Sequence, residues 1–217
     1  MKMRIVSLLL LALCLTLAAA PAMADTLYSN GPTNGTTDAW TINFGFIVSD
    51  TFTLGAPSTI TGLTFESWME PGDTLLSAQV AITSAEFGGT QYFNSVVNFT
   101  QSGCSTNQYG FSLCTESGAF NVALNAGTYW LNLENAVSAL GDPVYWDENS
   151  GPSMASENSV GSIPSESFTV LGSTTSTTTT TITTCGPAGG CVTEPSTIML
   201  FGSGILSLAG VLRRRFF

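Results

Sequence analysis

The side chains of this chain that can take part in chemistry are almost entirely carboxylates and amides. The 217 residues include 15 acidic and 5 basic ones and no histidine, and the basic ones are Lys2, Arg4, Arg213, Arg214 and Arg215, all near the ends. Most kinds of catalytic site would therefore lack one of their residues, because general bases and activated nucleophiles usually need His, Lys or Cys. Nucleic-acid binding is excluded as well, since it needs Lys and Arg to neutralise phosphates.

The densest group of oxygen-bearing side chains is Asp142, Asp147, Glu148 and Asn149, around a segment bounded by Gly and Pro. Hard oxygen ligands without basic competitors suit calcium, so these four are the candidate metal ligands, and calcium is the one cofactor left open. The alternative is a set of solvated loop carboxylates. If Asp147 and Glu148 continue a strand, they point to opposite faces and cannot form a glycosidase pair, so we expect no enzyme.

Two tryptophans are candidates for ligand binding. Trp130 shares a strand face with Asn132, and Trp146 lies among the carboxylates of the 142–152 segment. An exposed indole beside amides and carboxylates can stack on a sugar ring and hydrogen-bond its hydroxyls. The alternative for both rings is packing in the core.

The cysteines predict two short-range disulfides. Cys14 lies in the apolar N-terminal segment, and the remaining four form the local pairs Cys104 with Cys114 and Cys185 with Cys191. An even number of cysteines in an exported chain favours disulfides over thiol chemistry. Metal ligation is the weaker alternative, because no histidine and no Cys-x-x-Cys spacing occurs.

The elements that must position these residues are strands. Between residues 40 and 171 the chain repeats short alternating runs rich in Thr, Val, Ile, Phe and Tyr, separated by Gly, Pro, Asn or Ser. In residues 61–67, Leu63 and Phe65 share one face; residues 119–124 and 127–133 repeat the pattern, with a turn at 125–127 between them. About eight to ten such strands predict an all-β fold, an antiparallel two-sheet β-sandwich of jelly-roll type.

The two ends of the chain indicate export. Residues 1–24 have a short basic start, an apolar run and a small-residue exit, which predicts a helical signal peptide cleaved before Asp25. Residues 25–172 form the predicted sandwich, and residues 173–192 form a Ser/Thr-rich stalk that ends in the Cys185 to Cys191 loop. Residues 193–217 hold a short predicted transmembrane helix closed by three arginines, which stay on the cytoplasmic side.

The order of features in the tail is specific. Glu194, Pro195, Ser196 and Thr197 come first, the apolar run follows, and Arg213, Arg214 and Arg215 come last. This tail resembles the PEP-CTERM sorting signal, and tails of this kind are also named the ice-binding protein C-terminal domain. Segments such as 127–131 and 143–152 resemble domains borne by that family. The resemblance implies a bacterium, an exosortase as processing enzyme, and a place at the cell surface or in the biofilm matrix.

We therefore expect an exported, non-enzymatic surface or extracellular-matrix protein that crosses the inner membrane and keeps its tail in the membrane until processing. Its expected partners are the exosortase-type enzyme, the membrane and an extracellular polysaccharide. A carbohydrate- or calcium-dependent binding module is the first alternative, and a carboxylate-based enzyme acting on glycans is the second. Ice binding would need a flat, regular Thr array, which the predicted strands do not offer.

Overall fold

The computed structural model describes residues 24–175. These residues belong to one compact unit. The predicted signal peptide up to residue 23, most of the stalk, the Cys185 to Cys191 pair and the sorting motif lie outside the described residues. Within residues 24–175 no helix is long and apolar enough to cross a membrane.

The described part of the chain is all-β. Thirteen strands are formed and no helix occurs between residues 24 and 175, which confirms the predicted fold class at this level. The strands are β1 Asp25–Ser29, β2 Ala39–Thr41, β3 Ile47–Leu54, β4 Ser58–Met69, β5 Leu75–Ala85, β6 Gly88–Thr106, β7 Ser112–Leu124, β8 Gly127–Ser138, β9 Val144–Asn149, β10 Ala155–Glu157, β11 Gly161–Ile163, β12 Ser165–Glu166 and β13 Phe168–Thr174.

The strands form one curled, antiparallel sheet with the order β1-β13-β4-β7-β6-β5-β8-β3-β10-β11. The long strand β6 joins its two parts: residues 88–98 pair with β5, and residues 99–106 pair with β7. Strand β9 pairs with β4, β2 and β12. We call the part around β4, β7, β9 and β13 the β4 half, and the part around β5, β8 and β3 the β8 half.

Alternating apolar residues from both halves meet in one core. Leu63 and Phe65 of β4 are buried as predicted, and so are Tyr129, Leu131 and Leu133 of β8. The aromatic rings pack edge-on, with Phe65 centred 5.3 Å from Phe99 and 5.9 Å from Trp146. The largest fully buried side chains are Trp146, Phe52, Phe65, Phe168, Ile42, Ile60, Leu63, Met69, Leu75, Ile82, Leu131 and Leu133.

The connection at residues 125–126 differs from the tight hairpin that its sequence favours. Strand β7 pairs with β4 and β6, while β8 pairs with β5 and β3, so these two consecutive strands are not neighbours. The turn instead carries the chain from the β4 half to the β8 half. Local turn chemistry sets the reversal, whereas strand pairing depends on contacts far apart in sequence.

The Cys104 to Cys114 disulfide is confirmed. The two sulfur atoms are 2.13 Å apart, and the bond links the end of β6 to the start of β7. Cys104 lies at a register shift in this ladder, while Cys114 is buried on β7. The crosslink thereby fixes the hairpin whose turn, residues 107–110, projects over the outer face of the β4 half.

Candidate functional site

The outer face of the β4 half collects side chains that alternate with the core residues. On β4, Glu66 and Trp68 point outward between the inward Phe65, Ser67 and Met69, and on β9, Asp147 points outward between Trp146 and Glu148. This alternation is the ordinary consequence of strand geometry. Two loops, residues 30–38 and residues 107–110, lie over this face and make contacts with it.

Asp147 is the central anchor of this face. Its carboxylate accepts hydrogen bonds from Thr33 Oγ1 at 2.6 Å, from the main-chain N–H groups of Asn34 at 3.3 Å and Gly35 at 3.2 Å, and from Trp68 Nε1 at 2.6 Å. Burial raises the pKa of Asp147, although these four donors act in the opposite direction. The carboxylate therefore holds both the 33–35 loop and the Trp68 indole in place.

Trp68 lies in a cluster with three further aromatic rings, Tyr109, Phe111 and Tyr145. We call these four rings the aromatic platform. Tyr109 stacks on Trp68 with ring centroids 5.6 Å apart and an interplanar angle of 29°, and Phe111 lies 5.9 Å from Trp68. Phe111 in turn meets Tyr145 edge-on at 5.7 Å. Tyr109 is 56 % exposed, whereas Trp68 is 5 % exposed. The platform thus presents tyrosine to solvent above a buried indole.

Hydrogen bonds, in addition to the stacking of its ring, hold Tyr109 in position. Its hydroxyl donates to the main-chain oxygen of Thr36 at 3.1 Å, and Gln108 Nε2 donates to the same oxygen at 3.0 Å. The turn itself is closed by Asn107, whose side-chain oxygen accepts from the N–H groups of Tyr109 and Phe111. A ring fixed by stacking, by its hydroxyl and by its own turn needs little ordering when it binds a ligand.

A polar groove lies on the same outer face. Its volume is about 360 Å³, and it runs between the 29–33 segment and strands β4 and β13. Among residues 24–175, Thr115 Oγ1 is the one donor to the Glu66 carboxylate, at 3.0 Å from each oxygen. Burial and the nearby Asp147 carboxylate raise the pKa of Glu66. The residues lining the groove are Ser29, Gly31, Pro32, Thr33, Thr64, Phe65, Glu66, Ser167, Phe168 and Thr169.

The residues that the sequence predicted to bind a sugar do not lie on the outer face of the β4 half. Trp146 is 0 % exposed, and its Nε1 donates to the main-chain oxygen of Ser167 at 2.8 Å, so it belongs to the core and offers no ring face to a ligand. Trp130 is half-buried on the outer face of the β8 half. Its neighbour Asn132 is buried and hydrogen-bonds Thr83 Oγ1 and the N–H of Phe87, which fixes the β5–β6 turn.

The four residues predicted as calcium ligands are not brought together. Asp147 points outward, whereas Glu148 points inward and accepts from Trp40 Nε1 at 3.1 Å, as expected for neighbours on a strand. Asn149 donates to the main-chain oxygens of Asn30 and Pro32, and the carboxylate of Asp142 makes no hydrogen bond to the described residues. Across residues 24–175, no three acidic or cysteine side chains are grouped to hold a metal ion.

Several residues of this face were not singled out by the sequence. Glu66 and Trp68 are two positions apart in the strand whose alternation was predicted. That alternation could have placed both side chains on the outward face. Tyr109 lies in the loop closed by the predicted Cys104 to Cys114 bond. Its contact with Trp68 joins residues 41 positions apart and has no local signal.

The chain matches no known protein family, and no curated protein is similar to it.

Proposed function

We propose that the protein is an exported, non-enzymatic surface or matrix protein whose β domain binds polysaccharide through the outer face of the β4 half. The observation that carries the binding proposal is Tyr109, which is more than half exposed and stacks on the buried Trp68, on the same outer face as a groove lined by hydroxyl and carboxylate groups. A rigid ring can stack on a sugar, and the groove can exchange hydrogen bonds with its hydroxyls.

Charge narrows the class of glycan. All 15 acidic residues lie from Asp25 onward, and no basic residue occurs between Arg4 and Arg213. An acidic polysaccharide would be repelled by this domain and would find no cation on the platform. We therefore propose a neutral polysaccharide as the ligand.

The proposed architecture is a jelly-roll sandwich in which the β4 half and the β8 half act as the two sheets. The shared core and the bend of β6 between the halves support it. The proposed location rests on the apolar N-terminal segment and on the tail with Glu194, Pro195 and the three final arginines. These resemble a signal peptide and a sorting signal read by an exosortase-type enzyme.

The location and the binding are tested separately. For the location, the intact mass of the protein recovered from native cells should correspond to a chain that starts at Asp25 and lacks most of residues 198–217. A mass that still includes Arg213, Arg214 and Arg215 would contradict sorting by cleavage.

For the binding, the full chain in detergent is applied to an array of neutral and acidic polysaccharides. We expect signals on neutral glycans that are lost with Tyr109→Ala. The platform proposal fails if the array stays silent, or if Tyr109→Ala binds like the wild type. Release of reducing sugar that depends on Glu66 would show an enzyme instead, because Glu66 and Asp147 lie on the same face.

A further inference from the structure

Two buried carboxyl groups are connected to the groove on the outer face of the β4 half. Asp50 of β3 and Glu166 of β12 are both fully buried, and the N–H of Glu166 donates to Asp50 Oδ2 at 2.8 Å. Neither carboxylate oxygen of Glu166 has a hydrogen-bond partner among the described residues. No Lys, Arg or His occurs between residues 5 and 212, so no basic side chain of residues 24–175 can neutralise the two groups, which we call the acid pair.

The surroundings of the acid pair favour its neutral form, because burying an uncompensated charge is costly. Burial raises the pKa of Glu166 well above its ordinary value, and the nearby Asp50 and Glu148 carboxylates act in the same direction. Burial also raises the pKa of Asp50 to about 6, although its hydrogen bonds act in the opposite direction. The other ionisable groups that face the pair carry no positive charge either; they are Tyr28 of β1, Asp38 before β2, and Asp147 and Glu148 of β9.

Asn30 links the acid pair to one side of the groove. Its Nδ2 atom lies 3.0 Å from Asp50 Oδ2 and 2.6 Å from the main-chain oxygen of Glu166. Residues 31–33, which follow Asn30 in the chain, line the groove. Residues 167–169, which follow Glu166, line it as well. Both segments are therefore attached to the acid pair, one through Asn30 and the other through the main chain.

Strand β12 is the element through which ionisation of the acid pair can act. It has two residues, Ser165 and Glu166, and among the described strands it pairs with β9 alone. Glu166 lies directly opposite Glu148 in that ladder, and like charges in opposite positions destabilise a strand pair. A short strand with few backbone hydrogen bonds opens at low energetic cost. If β12 moves toward solvent, Asn30 loses Ser165 Oγ and the Glu166 main-chain oxygen as acceptors.

We propose that the acid pair is a pH-sensitive latch on the groove. In its neutral form β12 stays packed on β9 and β3, and Asn30 holds residues 31–33 in place. When the pair ionises, β12 moves outward so that Glu166 can be hydrated, and the 31–33 side of the groove is released. This inference concerns the regulation of the groove and rests on the proposed function only for the ligand. Polysaccharide binding should then be strongest in acid and should weaken as the pH rises.

The direction of the effect follows from the raised pKa values. A group whose pKa is higher in the latched state stabilises that state fully below its ordinary pKa, and this contribution is lost as the pH rises through the raised value. For Asp50 the raised pKa is about 6, against an ordinary value of 3.8. A tenfold difference between the acid dissociation constants of the two states changes the ratio of latched to released groove by about tenfold.

The test is amide hydrogen exchange of the full chain in detergent at about pH 5 and about pH 8, expressed as protection factors that remove the intrinsic effect of pH on exchange. We expect residues 30–33 and 165–167 to lose about tenfold or more of their protection at the higher pH, while β8 keeps its protection. Glu166→Gln cannot ionise at this position and should keep these residues protected at both pH values.

Glu116→Gln is the matched control. Glu116 is also a fully buried acid whose pKa is raised by burial, but its carboxylate bonds Ser67 and Gln101 and none of the groove residues. This variant should lose protection of the groove with rising pH as the wild type does. Asp50→Asn covers the case in which Glu166→Gln fails to fold. It should make the loss of protection less steep in pH, because one titrating group is removed.

The proposal is overturned if the wild-type groove keeps its protection at about pH 8, or if Glu166→Gln and Asp50→Asn both lose it as the wild type does. It is also overturned if β8 loses protection in parallel, since the whole domain would then be unfolding. A polysaccharide array that stays silent at both pH values, with protection changing as predicted, would refute the proposed function and support the latch alone.

Discussion

The indole Nε1 of Trp68 donates to Asp147 Oδ1 at 2.6 Å, and this bond joins the aromatic platform to the loop that covers it. Asp147 also accepts from Thr33, Asn34 and Gly35, so one carboxylate orients a ring on β4 and three residues of a loop. The platform is therefore prearranged by a buried acceptor beneath it. Substitutions at Asp147 should act on stability and on binding together.

We expect Asp147→Ala to lower the free energy of unfolding by about 3 kcal/mol, because it leaves the buried Trp68 N–H and two main-chain N–H groups without their acceptor. Urea unfolding followed by tryptophan fluorescence measures this. Asp142→Ala is the matched control, since the Asp142 carboxylate makes no hydrogen bond within residues 24–175 and its loss should cost little. Equal losses in the two variants would contradict the anchoring by Asp147.

The two tryptophans suggested by the sequence should behave differently. Trp146→Ala empties a fully buried position against Phe65 and Phe168 and should cost about 3 to 5 kcal/mol of stability. Trp130→Ala removes a half-buried ring and should cost about 1 kcal/mol. Thermal unfolding of both variants gives the comparison. A stable Trp146→Ala domain would mean that this ring is not in the core.

Glu116 should make stability depend on pH. It is fully buried, its Oε1 accepts from Ser67 and Gln101, and its Oε2 has no partner among the described residues. Burial raises the pKa of Glu116 above its ordinary value of 4.5. A raised folded-state pKa adds stability that is complete below the unfolded value and is lost as the pH rises through the folded one.

Glu116→Gln removes this titration while keeping an acceptor for Ser67. The variant should therefore be more stable than the wild type at about pH 7.5, and the difference should shrink or reverse at about pH 4. Urea unfolding at the two pH values measures it, with Glu134→Gln on the outer face as the control. A difference that is constant with pH would show that Glu116 does not titrate in the proposed way.

The Cys104 to Cys114 bond should stabilise the domain by about 2 to 3 kcal/mol, because it restricts the unfolded chain across a short loop. The double variant Cys104→Ser with Cys114→Ser should show this loss in chemical unfolding. Peptide mapping without reduction should recover the two cysteines in one linked peptide. A peptide joining Cys104 to Cys185 would contradict the assignment.

Alternation along single strands could be read from the sequence, and positions such as Phe65, Leu131 and Leu133 are buried as predicted because period-two burial is a local property. The partners of those strands could not be read. The turn at residues 125–126 suggested a hairpin, but β7 and β8 pair with other strands. For the same reason Trp146 was open to two interpretations, since only the packing of Phe168 and Phe65 decides whether its ring is covered.

Part of the candidate site could be predicted from the sequence. Asp147 was singled out from its surroundings, but its assignment as a metal ligand did not anticipate the four donors that come from β4 and from residues 33–35. Tyr109 had no local signal at all, because its partner Trp68 is brought near only by the fold of the sheet. The absence of basic residues between Arg4 and Arg213 was nevertheless informative, since it shows that no buried carboxylate of the described domain has a basic partner within residues 24–175.

The measurement that tests polysaccharide binding most directly is co-sedimentation of the full chain with an insoluble neutral polysaccharide, compared among the wild type, Tyr109→Ala and Trp130→Ala. Loss of a stacking ring should weaken binding by about 1 to 3 kcal/mol with little change in Tm. We predict this loss for Tyr109→Ala alone, with Trp130→Ala sedimenting as the wild type does. Equal sedimentation of the wild type and Tyr109→Ala, or a loss confined to Trp130→Ala, would contradict binding at the aromatic platform.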